Sequence, residues 1–236
     1  MAKYESAINK YRETIQLVGG LIALESGFPD PPPKTDESAV MALRGGAIVL
    51  LSATFERFLK DLGEEQSARL RGTRKAIKLS QLPDRIKVHS IFASLKQSMD
   101  GPRYGVKTEK KDRIPDIVDK CRLIGSDFID SEVFSSTGGN PNSDAVKVIF
   151  NNLDVDDPFA KIKTGFETLW GKAVAQNFIK EKLDEIISKR HVIAHTADVM
   201  TISRSDINDH KKFMECLVGA LYDHLNAHIG SIVDRI

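Results

Sequence analysis

The chain has 236 residues, of which 41% are hydrophobic and 28% are charged, and these values are typical of a globular protein that buries a core. Collagen, coiled-coil rods and global disorder are therefore excluded. With 34 basic against 33 acidic residues the formal net charge is +1, so any contact with nucleic acid must depend on a local basic patch.

Cysteine usage and hydropathy indicate the compartment. Cys121 and Cys216 are far apart in the sequence, which predicts neither a disulfide framework nor a cysteine-rich zinc module. The most apolar run, residues 47–53, is much shorter than the roughly 20 residues of a membrane-spanning helix. The N-terminal sequence is charged and amphipathic, unlike a secretory signal. We therefore expect a cytoplasmic protein without membrane contact.

Apolar residues at spacings of three and four predict helices in the first 100 residues. The first stripe covers residues 4–22. A second stripe, over residues 47–62, is wide enough for a central core helix, and Thr35 or Asp36 is the expected cap of that helix. A third helix is predicted over about residues 80–99.

Glycine and proline interrupt every long pattern between residues 100 and 160, which predicts an irregular insert with short helices at about 114–124 and 143–152. Two longer helices follow, one at about 176–195 and one that begins at Ser203. No alternating run predicts a strand, and no repeat is present. The sequence therefore predicts an all-α fold, a helical bundle in one domain that spans the chain, with an irregular insert at about 100–160.

The densest cluster of chemically active residues is KRHVIAHT, residues 189–196, at the end of the penultimate predicted helix. Arg190 offers a planar set of donors that suits a phosphate, and His191 and His195 can exchange protons near neutral pH. A base, an acid and a cation are the groups that RNA cleavage without a metal needs. A structural interpretation stays open, because basic residues in a last helical turn also complement the helix dipole.

Spacing limits how these side chains can meet. His191 and His195 are four residues apart and share a helix face, whereas Arg190 and His195 are about 140° apart around an ideal helix. Arg190 and His195 can reach one phosphate if the helix frays at His195. They can also do so if two copies face each other across a two-fold axis, which makes dimerisation part of the mechanism.

The hexapeptide RHVIAH resembles the R-x-x-x-x-H signature of the HEPN superfamily, with Arg190 and His195 at the two signature positions. His191 stands where Asn or Asp is more usual in the family. Three longer segments resemble parts of the RiboL-PSP-HEPN group: residues 45–62, 140–162 and 202–225. HEPN domains are all-α, and many are metal-independent ribonucleases of toxin–antitoxin, abortive-infection and CRISPR-linked systems.

The resemblance implies a role for each matching residue. Arg190 would bind or polarise the scissile phosphate, and His195 would act as general acid or base. His191 would orient the phosphate or assist His195. Glu56 is a weaker catalytic candidate that would pair with Arg190 or a histidine, and the alternative is an ordinary surface pair between Glu56 and Lys60.

The resemblance further implies an endoribonuclease that acts as a homodimer without metal or cofactor. Attack of the RNA 2′-oxygen would leave a 2′,3′-cyclic phosphate and a 5′-hydroxyl. A toxin or phage-defence effector of this kind would have an antitoxin or another defence protein as partner. The alternative is a non-catalytic HEPN module that binds a protein or RNA, in which the motif only stabilises the end of its helix.

A basic stretch lies between the second and third predicted helices. It contains five positive charges and no acidic residue: Arg69, Arg71, Arg74, Lys75 and Lys78. Such a stretch can follow RNA phosphates, and a solvated basic turn is an equally good interpretation. No aromatic residue is interleaved, so a base-stacking platform is not indicated.

Two H-x-x-x-H pairs, His191/His195 and His224/His228, have a spacing that can chelate a transition metal on a helix. The first pair lacks the glutamate of H-E-x-x-H, so a metal-dependent hydrolase is the least favoured alternative and no metal is expected. The acidic segment 154–157 is expected to cap a following helix rather than bind calcium. No phosphate-loop or dinucleotide motif is present, so no cofactor is expected.

Overall fold

The structure is a computed structural model that describes residues 6–72, 77–100, 109–130, 132–134, 139–196 and 202–236. Those residues form eight α-helices and three short 3-10 helices, and none of them is in a strand. The prediction of an all-α fold is confirmed. Parts of the predicted insert, residues 101–108, 131 and 135–138, lie outside the described residues.

The first helices start and end close to their predicted positions. Helix α1 is Ala7–Ser26, and α2 is Glu37–Leu70 with Asp36 at its N-cap position. Helix α3 is Asp84–Asp100, which begins later than predicted because a separate 3-10 helix precedes it. Leu82, the residue before a proline, is extended at φ −78° and ψ 158°, since the proline ring disfavours helical backbone there.

Side-chain caps mark the start of three of the five later helices that the structure describes. The five helices are α4 (Ile114–Gly125), α5 (Ser143–Asn152), α6 (Pro158–Trp170), α7 (Phe178–Thr196) and α8 (Arg204–Asp234). The side chain of Asn142 accepts a hydrogen bond from the backbone N–H of Ala145 at 3.0 Å and so caps α5. Ser203 and Asp206 form the predicted capping box of α8.

The core surrounds α2, which packs against α1, α7 and α8. Apolar side chains of α2 that are almost completely buried line it: Ile48, Leu51, Phe55, Phe58, Leu59 and Leu62. Within the predicted insert, α5 also has a buried face, formed by Val146, Ile149 and Phe150. Helix α6 packs along α8. The short helices of this segment therefore contribute to the bundle core, because their breaks separate helices that are themselves amphipathic.

Among the described helices, α2 is the one that is long and apolar enough to cross a membrane by length and composition alone. The uninterrupted apolar run over residues 47–53, from which no membrane-spanning segment was expected, did not indicate this helix. Half of the apolar window is buried inside the protein. A core helix of this length passes the same test, so the finding assigns no membrane segment.

A buried ion cluster fixes the point where the chain enters α8. The carboxylate of Glu25 on α1 is completely buried and accepts hydrogen bonds from Nε of Arg44 and Nε of Arg204, both at 2.7 Å. Arg44 also donates to the backbone carbonyl of Ile202 at 2.9 Å, and Arg204 donates to the carbonyl of Phe28 at 2.8 Å. The cluster thus ties the residues that follow α7 to the corner between α1 and α2.

Candidate functional site at the end of α7

The predicted motif lies on the last two turns of α7, which is helical through Thr196. Ile193 anchors this end by packing against a small buried cluster. The cluster joins α2 to the start of α8: Ile48, Ile202 and Ile207. Burial of these side chains favours the helical position of the last turn. His195 is therefore part of a regular helix, and fraying at His195, one of the two arrangements that the sequence allowed, is not found.

The three motif side chains are accessible. Arg190 is half-buried, whereas His191 and His195 are exposed. The ring centroids of the two histidines are 4.3 Å apart, and the ring planes are inclined by 50°. No hydrogen bond or ion pair joins the side chain of Arg190, His191 or His195 to another residue in the part of the chain that the structure describes. A guanidinium and two imidazoles are thus accessible at one helix end.

Helix geometry separates these groups within one chain. Because α7 stays regular, Arg190 and His195 are about 140° apart around its axis. Arg190 continues the half-buried side of the helix, three residues after Ile187 in the apolar stripe, and the histidine pair lies on the exposed side. One copy of α7 therefore does not direct Arg190 and His195 toward a common phosphate.

Glu56 has the contact that the sequence offered as its structural alternative. Nζ of Lys60 donates to a carboxylate oxygen of Glu56 at 2.7 Å, one helical turn away on α2. The Glu56 side chain is only 19% exposed. The contact with Lys60 gives Glu56 a structural role, and its part in a reaction stays a prediction.

A buried histidine beside the motif was missed by sequence reasoning. His210 on α8 is completely buried, and its Nε2 accepts a hydrogen bond from Nζ of Lys189 at 3.2 Å. Burial, followed by the charges of Lys182 and Lys189, lowers the pKa of His210 to about 4. Lys189 also donates to Glu185 at 2.6 Å. The available signal was the position of His210 in the apolar stripe of α8, three residues before Phe213, where a buried side chain is expected.

The basic stretch has a partly structural role. Arg69 donates to the backbone carbonyl of Asn226 at 3.1 Å and so ties the end of α2 to α8. The guanidinium of Arg71 lies over the ring of Phe128, 5.8 Å from the centroid. Residues 74–75 lie outside the described residues. Arg69 and Arg71 are therefore held by protein groups, and an RNA-binding patch in this stretch stays a prediction.

The second histidine pair is half-buried on α8. Nε2 of His228 is buried without a hydrogen-bond partner in the described structure. Burial is the largest cause that lowers the pKa of both His224 and His228. Across the described residues, no three His, Cys, Asp or Glu side chains gather in an arrangement that holds a metal.

The acidic segment 154–157 has the capping role that was predicted. Asp157 accepts a hydrogen bond from the backbone N–H of Ala160 at 3.4 Å at the start of α6. Asp156 pairs with Arg85 at 2.6 Å. The ion pair with Arg85 connects the residues just before α6 to α3.

Comparison with known families places the chain. The family model of RiboL-PSP-HEPN matches residues 12–227. The chain belongs to the RiboL-PSP-HEPN family. The resemblance drawn from the sequence is thus confirmed, and the matched range includes the end of α7. A comparison with curated proteins found no match, and neither did a comparison with solved structures. Membership in this family indicates a HEPN-type nuclease or an RNA-related module.

Proposed function

We propose that this RiboL-PSP-HEPN protein is a metal-independent endoribonuclease. The observation that carries the proposal is the accessible end of α7, where the side chains of Arg190, His191 and His195 have no hydrogen-bond partner among the described residues. Lys189, the preceding residue, is instead tied to Glu185 and to a buried histidine. The motif side chains are thus available to bind a ligand. Membership in the RiboL-PSP-HEPN family favours RNA as that ligand.

The reaction that suits these groups is a transesterification within RNA. A neutral imidazole removes the proton of the 2′-hydroxyl, and the 2′-oxygen forms a bond to phosphorus while the bond between phosphorus and the 5′-oxygen breaks. A protonated imidazole donates its proton to the leaving 5′-oxygen. Arg190 stabilises the charge on the crowded phosphate. The products are a 2′,3′-cyclic phosphate and a 5′-hydroxyl, and no metal ion takes part.

We assign His195 the role of general acid or base, with His191 as the group that assists it or orients the phosphate. The closeness of the two rings, 4.3 Å between centroids, supports a shared task. Since one regular α7 separates Arg190 from His195, we further propose a homodimer in which Arg190 of one chain acts with His195 of the other.

The cellular role that we propose is a cytoplasmic toxin or phage-defence effector. Unrestrained RNA cleavage would harm the cell that makes the enzyme, so the proposal includes an antitoxin or another defence protein as partner. This part of the proposal rests on the family alone.

The first experiment measures cleavage of single-stranded RNA by the purified protein in EDTA. We expect cleavage with 2′,3′-cyclic phosphate ends, and a loss of at least about 100-fold in Arg190→Ala and in His195→Ala, which is typical of removing an acid–base or charge-stabilising group. Ser188→Ala, an exposed change on the same helix, is the control and should cleave normally.

The same experiment separates the alternatives. Full cleavage by folded Arg190→Ala and His195→Ala would place the active site elsewhere. Absence of cleavage by the wild type, together with a lowered melting temperature of Arg190→Ala, would favour the non-catalytic module, because the arginine would then serve the helix end.

A further inference from the structure

His191 and His195 form an exposed pair of imidazoles on a rigid support. They lie one turn apart at the end of a 19-residue helix, with ring centroids 4.3 Å apart. Neither ring hydrogen-bonds to another residue in the described part of the chain. Ile193, between them in sequence, is packed into a buried cluster and holds the last turn in place. The helix therefore holds the two rings in place, and no hydrogen bond to another described residue explains why they lie side by side.

We propose that His191 and His195 form a two-ligand site for a divalent transition-metal ion that prefers imidazole, such as Ni²⁺ or Zn²⁺. Imidazole nitrogens bind these ions at about 2.0–2.1 Å, so two nitrogens of one site lie roughly 3 Å apart. Rings at 4.3 Å on one helix face reach that separation by side-chain rotation alone. Both side chains are exposed, so an ion reaches them without any opening of the core.

The site binds an exchangeable ion rather than a structural one. No third His, Cys, Asp or Glu joins the pair among the described residues. Water completes the coordination, whereas structural zinc sites use four protein ligands. Binding therefore depends on the concentration of free ion.

The consequence for the reaction rests on the proposed ribonuclease function. A metal ion binds through the same imidazole lone pair that accepts a proton, so a metal-bound His195 cannot act as general base or acid. The ion that the site binds is thus an inhibitor of a metal-independent nuclease. Occupation of the pair closes the site, and removal of the ion by a chelator reopens it.

The second H-x-x-x-H pair provides a matched control within the same chain. His224 and His228 have identical spacing on α8, but both are half-buried. In addition, Nε2 of His228 is buried and therefore closed to an ion from solvent. The two pairs differ in accessibility and not in spacing, so the structure assigns metal binding to the first pair alone.

The test is calorimetric titration of the metal-free full chain with Ni²⁺ and, separately, with Zn²⁺. Nickel is included because the thiol of Cys121, exposed on α4, competes for zinc. We expect saturable binding that is lost in His191→Ala and in His195→Ala and retained in His224→Ala, with circular dichroism showing that each variant is folded. Absence of binding by the wild type, or binding that survives His191→Ala unchanged, overturns the proposal.

Cleavage assays on the same samples distinguish this inference from the proposed function. We expect Ni²⁺ at saturating concentration to reduce RNA cleavage at least tenfold and EDTA to restore it. If the wild type binds the ion through the pair but never cleaves RNA, the ribonuclease proposal fails and the metal site stands. If cleavage is normal while the pair holds the ion, the inhibitory role is wrong.

Discussion

Lys189 and Arg190 are neighbours in sequence but have different surroundings. Lys189 donates to Glu185 and to His210, so its charge is compensated within the bundle. Arg190 has no such partner among the described residues. A buried imidazole that accepts a hydrogen bond from a lysine must be neutral, which agrees with the lowered pKa of His210. The electrostatics of single residues thus determine which cation of the motif is available to a ligand.

His210 makes stability depend on pH. Its pKa is about 4 in the folded chain, against about 6.5 for an unperturbed histidine, because burial and two lysines disfavour its charged form. Between these values the unfolded chain binds a proton that the folded chain does not, so acidification favours unfolding. The stabilisation is complete above about pH 6.5 and falls by about 3 kcal/mol toward pH 4.

Urea unfolding from pH 7.5 to 4.5 measures this dependence, and we expect a smaller loss of stability on acidification in His210→Leu than in the wild type. Glu185 and Asp206 face His210 and have lowered pKa values. Their protonation also favours unfolding on acidification, but at lower pH. An equal loss in the two proteins would show that His210 is not the responsible group.

At the scale of elements, α7 and α8 are positioned by their ends. Helix α7 ends where Ile193 packs on the cluster shared by α2 and α8. Helix α8 begins with a capping box, in which the hydroxyl of Ser203 accepts from the backbone N–H of Asp206 at 3.1 Å. The same serine follows Ile202, whose carbonyl is held by Arg44. The cap, the apolar cluster and the ion cluster therefore act on one short segment next to the candidate site.

Removal of the cap tests the contribution of this segment. Ser203→Ala deletes the acceptor for an N-terminal amide of α8, and loss of such a cap costs about 1 kcal/mol of stability. Chemical denaturation is the measurement. The control is Ser205→Ala, because Ser205 is exposed and is the second residue of α8. This substitution should change stability by much less. Equal effects of the two substitutions would mean that the capping hydrogen bond is not what stabilises the start of α8.

For the whole molecule, the main point is that Arg190 and His195 of the proposed site come from different chains. The regular end of α7 keeps Arg190 and His195 of one chain apart around the helix. A shared site needs two chains, since an isologous dimer presents each residue twice around its axis. The proposed site therefore forms only when two chains associate.

Mixing two inactive variants tests the shared site. In a heterodimer of Arg190→Ala with His195→Ala, one of the two composite sites has both residues intact, whereas a site within one chain would stay broken. After subunit exchange, half of the dimers are mixed, so we expect recovery to about a quarter of wild-type cleavage. The control is each variant alone at the same total concentration, which should stay inactive. No recovery after demonstrated exchange would contradict the composite site.

The helices and the motif could be predicted from residues that are close together in the chain. Apolar spacing indicated the helices, and Asn142 and Ser203 marked two of their first turns, because periodicity and capping depend on residues a few positions apart. The motif was found for the same reason, since its spacing lies within one helix. Family membership followed from the same local patterns and is confirmed by the family match.

The surroundings of the motif, in contrast, follow from the packing of the helices. It placed the buried His210 against Lys189, joined Glu25 to two arginines from other helices, and kept α7 regular through His195. Each of these features depends on groups that are distant in sequence and meet only when the helices pack. Burial and pairing, which set charge and availability, are properties of that packing, so a local pattern does not contain them.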